Sequence, residues 1–173
     1  MMAGTANDET ALQRLLDERD CRAVLARYGI AIDWQDRQAL ESVFWPDAEV
    51  DHGFFKGLAA PFVEVLLDIA KLSLRRFHMT ANEQLGIRGT TAQAQSYIVT
   101  QAISVAEDGS RKSSVFLGRF IDELEKRHDE WRIRRRVYLQ HGTYMAAYED
   151  AGILSGMLNA DGLTPEHRLF RRA

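Results

Sequence analysis

One cysteine, Cys21, is all this chain has. No internal disulfide can form, so a scaffold stapled in an oxidising compartment is not expected. Cys21 shares a helical face with Val24, Leu25 and Tyr28, which is the place of a small buried hydrophobe rather than a nucleophile. Proline is scarce too, at three in 173 residues. No apolar run approaches the roughly 20 residues of a membrane span. The opening Met1-Met2-Ala3-Gly4-Thr5 has neither the basic n-region nor the apolar h-region of a secretion signal, so a cytoplasmic protein is expected. Neither sign of charge dominates: 22 Lys and Arg stand against 25 Asp and Glu. That balance gives no electrostatic ground for binding nucleic acid. There is no glycine-rich phosphate loop, and the spacing of Asp51, His52 and His78 fits no closed zinc pattern. No metal and no organic cofactor are therefore expected.

What the chain does have is material for a core. Hydrophobic residues make up 46% and charged residues 27%, which suits one soluble domain. Residues 1–9 read as a frayed tail, 10–145 as the domain, and 146–173 as a C-terminal helix or tail at the pocket mouth or a subunit interface. Leu12, Leu15 and Leu16, then Val24, Leu25, Tyr28 and Ile32, recur at helical spacing, interrupted by Asp17-Glu18-Arg19-Asp20. Asp20 is placed to cap a second helix ending near Asp33. Asp36 caps a third over Arg37–Phe44, with Pro46 helping to stop it. Ala48–His52 predicts a short strand. Leu58–Arg76 predicts a long helix with Pro61 in its first turn, so that His78 comes at the end of a helical run.

The period then drops to two. Ala92–Val105, Ser113–Glu125 and Trp131–His141 all alternate, with Asp108-Gly109 as a hairpin turn. In the last strand, strict alternation sets Arg132, Arg134, Arg136, Tyr138 and Gln140 against Trp131, Ile133, Arg135, Val137 and Leu139. The arginines there read as a charged sheet face opposite Asp122, Glu123 and Glu125. Strands of this length coil, so the expectation is an α+β fold whose curved sheet wraps the N-terminal helices and encloses a pocket.

Asp33 and His78 carry the chemistry. An imidazole can take and return a proton near neutral pH. A carboxylate beside it fixes its tautomer and stabilises the imidazolium. An elimination, a dehydration or a proton shift next to a carbonyl needs little more than a donor for the developing oxyanion. Tyr28, His52, Tyr97 and Arg136 are the candidate donors. Each has a blander reading: a helix-end or turn residue for Asp33, a core-edge histidine for His78, a solvent-side strand residue for His52, a core-lining ring for Tyr28, and sheet-surface charges for Arg119 and Arg136.

The run Leu25-Ala26-Arg27-Tyr28-Gly29-Ile30-Ala31-Ile32-Asp33, followed by Asp36, Leu40, Phe44 and Asp47-Ala48-Glu49-Val50, resembles the opening of SnoaL-like proteins. His78 with Asn82, Gly118-Arg119-Phe120, and Trp131-Arg132-Ile133 with Arg135-Arg136 are similar to later motifs of that family, which belongs to the nuclear transport factor 2-like superfamily. The resemblance implies a cone-shaped mixed or antiparallel sheet around helices. Its scytalone dehydratase and hexachlorocyclohexane dehydrochlorinase branches imply a cofactor-free elimination, with His78 as base and Asp33 as its support. They also imply positions for His52, where the dehydratase has a tyrosine, for Tyr28, where the dehydrochlorinase has a lysine, and for Arg136 in the cavity. The second histidine of the dehydratase site has no match in Tyr97-Ile98-Val99-Thr100-Gln101, and Gly118-Arg119-Phe120 stands where its Ser and Asn would be, so neither named activity carries over. The implied partners are a small hydrophobic cyclic or aromatic molecule and further copies of the chain, as trimer or dimer. The alternative is a non-catalytic binding or assembly subunit of the same fold, like the small subunit of ring-hydroxylating dioxygenases.

Overall fold

The computed structural model describes residues 5–149, Met157 and 162–171. Two helices open the chain, α1 (Thr5–Trp34) and α2 (Arg37–Glu41), followed by β1 (Phe44–Asp51), β2 (Lys56–Leu58) and α3 (Ala59–Lys71). Four long strands complete it: β3 (Ser73–Arg88), β4 (Thr91–Val105), β5 (Arg111–Arg127) and β6 (Glu130–Ala147). They form one six-stranded sheet in the order β2-β1-β6-β5-β4-β3. Only β1 against β6 is parallel, so the sheet is mixed. The helices lie against its inner face, where Val24, Leu25, Tyr28, Phe62, Val63, Phe120, Leu124, Trp131 and Ile133 share one buried core. This is the α+β architecture expected from the sequence.

Several element boundaries differ from the sequence expectation. α1 is continuous and starts at Thr5, before the expected domain boundary. The polar stretch does not break it, because Asp17 turns inward and accepts hydrogen bonds from Trp131 Nε1 (2.9 Å) and Lys126 Nζ (3.0 Å). The third helix stops at Glu41, and Phe44 and Trp45 are already buried strand residues. Pro46 is tolerated inside β1 because it falls in the irregular stretch between Phe44 and Glu49. The main correction is the helix expected over Leu58–Arg76. It ends at Lys71, and His78 lies on the strand β3. β3 has Phe77 and Met79 on one face with Leu85 and Ile87 on the other, so no clean alternation of apolar and polar residues marks it. The apolar segment Ile153–Leu163 falls largely outside the described residues.

A bulge on β6 decides what points inward. Glu123 pairs with Arg135 and Leu124 with Ile133, leaving Arg134 as one residue too many. Trp131 and Ile133 face the core before it, and Arg136 does so after it. Arg134 and Arg135 remain in solvent, both reaching Glu123. The reading of Arg136 and Asp122 as a surface charge ladder is thereby corrected: they are 1% and 1% exposed.

Candidate active site

Asp33 and His78 meet where α1 crosses β3. Gly29 permits the crossing, since a Cβ placed there would lie 3.1 Å from the His78 Cβ. Both oxygens of the Asp33 carboxylate are used on one residue. Oδ2 accepts the His78 backbone N–H at 2.9 Å, and Oδ1 sits 2.7 Å from His78 Nδ1. A carboxylate there selects the tautomer that carries its proton on Nδ1. Nε2 is left as the open lone pair, with no hydrogen-bond partner among the described residues. Both side chains are largely buried, at 13% and 12% exposed.

His52 follows directly on β1 and is not a solvent-side residue. Its ring stacks on Tyr138 at 4.7 Å and 13°, with Phe62 at 5.0 Å and Phe120 at 5.8 Å. Both ring nitrogens are sealed from solvent and have no hydrogen-bond partner among the described residues. Burial, then the Arg136 charge, then His78 push its pKa down to about 3. The imidazole is therefore neutral at physiological pH, with one donor and one acceptor to offer. Tyr138 reaches it by lying over Gly118, where any Cβ would collide with the ring and with the Leu139 carbonyl at 2.7 Å.

Arg136 is buried between two rings. Its Cζ lies 4.2 Å from the Tyr28 ring centroid and 4.0 Å from that of Phe120. Asp122 neutralises it through two parallel hydrogen bonds, Nε to Oδ1 at 2.7 Å and Nη2 to Oδ2 at 2.8 Å. Nη1 is buried without a close hydrogen bond among the described residues, and the Tyr28 phenol interacts with the same guanidinium. Burial pushes the Tyr28 phenol up to about 12, against the pull of Arg136, so it stays protonated. Ser96 Oγ is a further sealed, unpartnered group, on the residue paired with Phe120 across β4 and β5. Buried polar atoms without partners are rare and costly. Of the seven such side-chain atoms among the described residues, four belong to His52, Ser96 and Arg136, all beside Phe120, and the other three are the Nε atoms of Arg76, Arg119 and Arg132.

The structure thus brings Asp33, His78, Tyr28, His52 and Arg136 to the inner side of one sheet. It does not bring Tyr97. β4 turns Ser96 and Ile98 inward and Tyr97 outward, where its hydroxyl accepts from Arg119 Nη2 at 2.6 Å. Tyr97 is corrected from pocket donor to outer-face residue. Three inner residues escaped the sequence reading: Asp122, Tyr138 and Ser96. Tyr138 was hidden by the bulge, whereas alternation with Phe120 and Leu124 already marks Asp122 as inward. For Ser96, alternation with Ala92, Ala94 and Ile98 was the available signal. Among the described residues, no group of three or more His, Cys, Asp or Glu side chains stands close enough to hold a metal ion.

Comparison with known proteins adds a family. A family model for the SnoaL-like domain matches residues 13–137. An uncharacterized protein of Mycobacterium tuberculosis strain H37Rv is 26% identical over 132 residues, 73% of this chain and 87% of its own. Among solved structures, the type-3 hexachlorocyclohexane dehydrochlorinase of Novosphingobium barchaimii is similar at a TM-score of 0.68, with 18% identity, covering 83% of this chain and 96% of that one. A candidate scytalone dehydratase from Novosphingobium aromaticivorans also gives 0.68, with 19% identity, covering 80% and 95%.

Proposed function

Since the chain belongs to the SnoaL-like domain family, we propose that it is a cofactor-independent lyase or isomerase acting on a small hydrophobic, cyclic or aromatic molecule. The observation that carries this is the double use of the Asp33 carboxylate. It holds His78 by ring and backbone at once and leaves Nε2 free. Nε2 takes a proton from a carbon of the substrate, and Asp33 stabilises the imidazolium that forms. Charge that develops on a substrate oxygen or leaving group is met by donors aimed inward: Arg136 Nη1–H, the Tyr28 hydroxyl and the neutral His52 ring. In an isomerisation Nε2 returns the proton to another substrate atom; in a dehydration it passes the proton to the departing hydroxyl, which leaves as water; in a halide elimination the halide leaves and the imidazolium gives its proton to solvent. Aromatic walls from Phe62, Phe120 and Tyr138 suit a flat apolar ring. Names such as dehydrochlorinase and dehydratase among proteins of this fold fit the same class.

The test is a panel of small cyclic ketones, hydroxyketones and halides incubated in D2O and read by mass spectrometry. The expected result is deuterium uptake or loss of water or halide. His78→Ala abolishes it, and Asp33→Asn lowers it by about 10²–10⁴-fold while the protein stays folded. Undiminished turnover in His78→Ala would sink the proposal.

The same chain is proposed to self-associate, as trimer or dimer, through the outer face of its sheet. There the cross-strand rows Phe77–Gln101–Val115–Tyr144 and Met79–Val99–Leu117 are largely apolar, and Tyr144 is 69% exposed. A patch of this kind usually meets a partner. A non-catalytic assembly subunit would use the same face, and it is the reading that remains if the panel shows no chemistry.

A further inference from the structure

Arg76 lies two residues before His78 on β3, and so on the same face. A half-buried guanidinium ordinarily finds a carboxylate. This one has no ion-pair partner among the described residues. Its donors go to four backbone carbonyls instead. Nη1 donates to Ala70 and Ser73, the latter at 2.9 Å. Nη2 donates to Asp33 at 3.3 Å and to Leu163 at 2.9 Å. Nε is sealed without a partner.

The four carbonyls are not a random set. Asp33 and Ala70 belong to the last turns of α1 and α3, where helix carbonyls lack intrahelical donors and a cation is favoured. Ser73 opens β3, the strand that carries His78. Leu163 belongs to the segment 162–171, which packs on the end of α1 through Trp34, with ring centroids 5.6 Å from His167 and 5.4 Å from Phe170. One side chain therefore joins two helix ends, the start of a strand and the C-terminal segment. One of those helix ends carries the carboxylate that holds His78. Burial draws the Arg76 pKa down, and the Asp33 charge opposes that draw.

We propose that Arg76 is a positioning residue for the Asp33–His78 pair: by gathering the carbonyls of Asp33, Ala70, Ser73 and Leu163 it sets where the Asp33 carboxylate stands relative to β3. The inference rests on the reading of that pair as the working site, but its test needs no substrate. The pair leaves two signatures in the protein as it is. One is a low-field Nδ1 proton signal from His78 in protein labelled with 15N-histidine. The other is slow hydrogen exchange at the His78 backbone amide, which Asp33 Oδ2 accepts. In folded Arg76→Met, the low-field signal broadens away and the His78 amide exchanges about 10-fold faster, while Ile98 in the sheet interior keeps its protection. Arg76→Lys keeps the charge but reaches fewer carbonyls, and gives an intermediate loss. Unchanged His78 signals in a folded variant overturn the proposal. Protection that falls equally at Ile98 and His78 also overturns it, since Arg76 would then only support the fold. If Arg76→Met does not fold, Arg76→Lys decides by the same two signals. A failed substrate panel leaves these readouts intact, so the two ideas fail separately.

Discussion

Two imidazoles share this site, and they are bonded in opposite ways. His78 is held at ring and backbone by one carboxylate, while His52 is held by ring contacts alone, with both nitrogens unused. The difference has a consequence for stability. His52 is pushed down to about 3 in the fold, by burial before any charge, against about 6.5 in an unfolded chain. Between those values the unfolded chain takes up a proton that the native state refuses. The titration of His52 therefore costs nothing above pH 6.5 and destabilises progressively as pH falls from 6.5 toward 3. His52→Phe keeps the stack on Tyr138 and removes the titration. Its melting temperature should gain on that of the parent protein as pH is lowered from 7 to 4.5. Two melting curves that stay parallel over that range would show that His52 is not sealed.

At the scale of elements, the bulge at Arg134 does more for the site than any single helix. It lets Trp131 and Ile133 fill the core and still turns Arg136 inward, where Asp122 meets it. A buried pair of this kind punishes loss of one partner more than loss of both. Arg136→Met should cost about 3–5 kcal/mol, because Asp122 is stranded in the core. Adding Asp122→Asn should recover much of that stability and none of the turnover. Urea unfolding of the two single variants and the double variant measures it; additive losses would mean that the two side chains are not coupled.

The same bulge shows why part of the site could not be read from the chain. Asp33 and His78 were legible because a carboxylate and an imidazole at those family positions stand out by residue type. Tyr28 was legible from helical spacing. Strict alternation set Arg136 on the outer face and only the family resemblance kept it among the cavity candidates, because an extra residue in a strand leaves no local mark when Arg132, Arg134, Arg135 and Arg136 all look alike. Tyr97 failed for the complementary reason: alternation grouped it correctly with Val99 and Gln101, but nothing in that face says which side the helices cover. The first residues of β3, up to Arg76, were read as the end of a helix and the rest of the strand went unassigned, because its apolar residues fall on both faces. Ser96, a small hydroxyl among alanines, becomes visible only once its burial is known.

For the whole molecule, one layer of helices covers one face of the sheet, and the other face is exposed. Met79, Tyr97 and Leu139 are 44%, 40% and 47% exposed in adjoining rows of that face. Sedimentation at micromolar concentration should give the mass of two or three chains, and Met79→Asp with Leu139→Asp should return it to one. A parent protein that sediments as a single chain would refute the assembly. The double aspartate variant should keep the low-field His78 signal, since both changes lie across the sheet from the site.

The β1–β6 contact also bears on how the molecule comes into being. β3, β4, β5 and β6 follow one another as antiparallel neighbours, so each can zip onto the one before it across a short turn. β1 has only the short β2 beside it in this way, through Glu49–Asp51 against Lys56–Leu58. It waits for a strand at the far end of the domain, with Phe44 against Ile133 and Asp51 against Val137. Closing so long a loop is slow, and the contact comes late in folding. On a ribosome, α1 and β1 leave the tunnel first; α1 can meet β3 once that strand has emerged, but β1 lacks its long partner until β6 has followed. His52, carried just beyond β1, reaches Tyr138 only at that moment. The ring cluster of His52, Phe62, Phe120 and Tyr138 is therefore the last part of the inner face to acquire its shape.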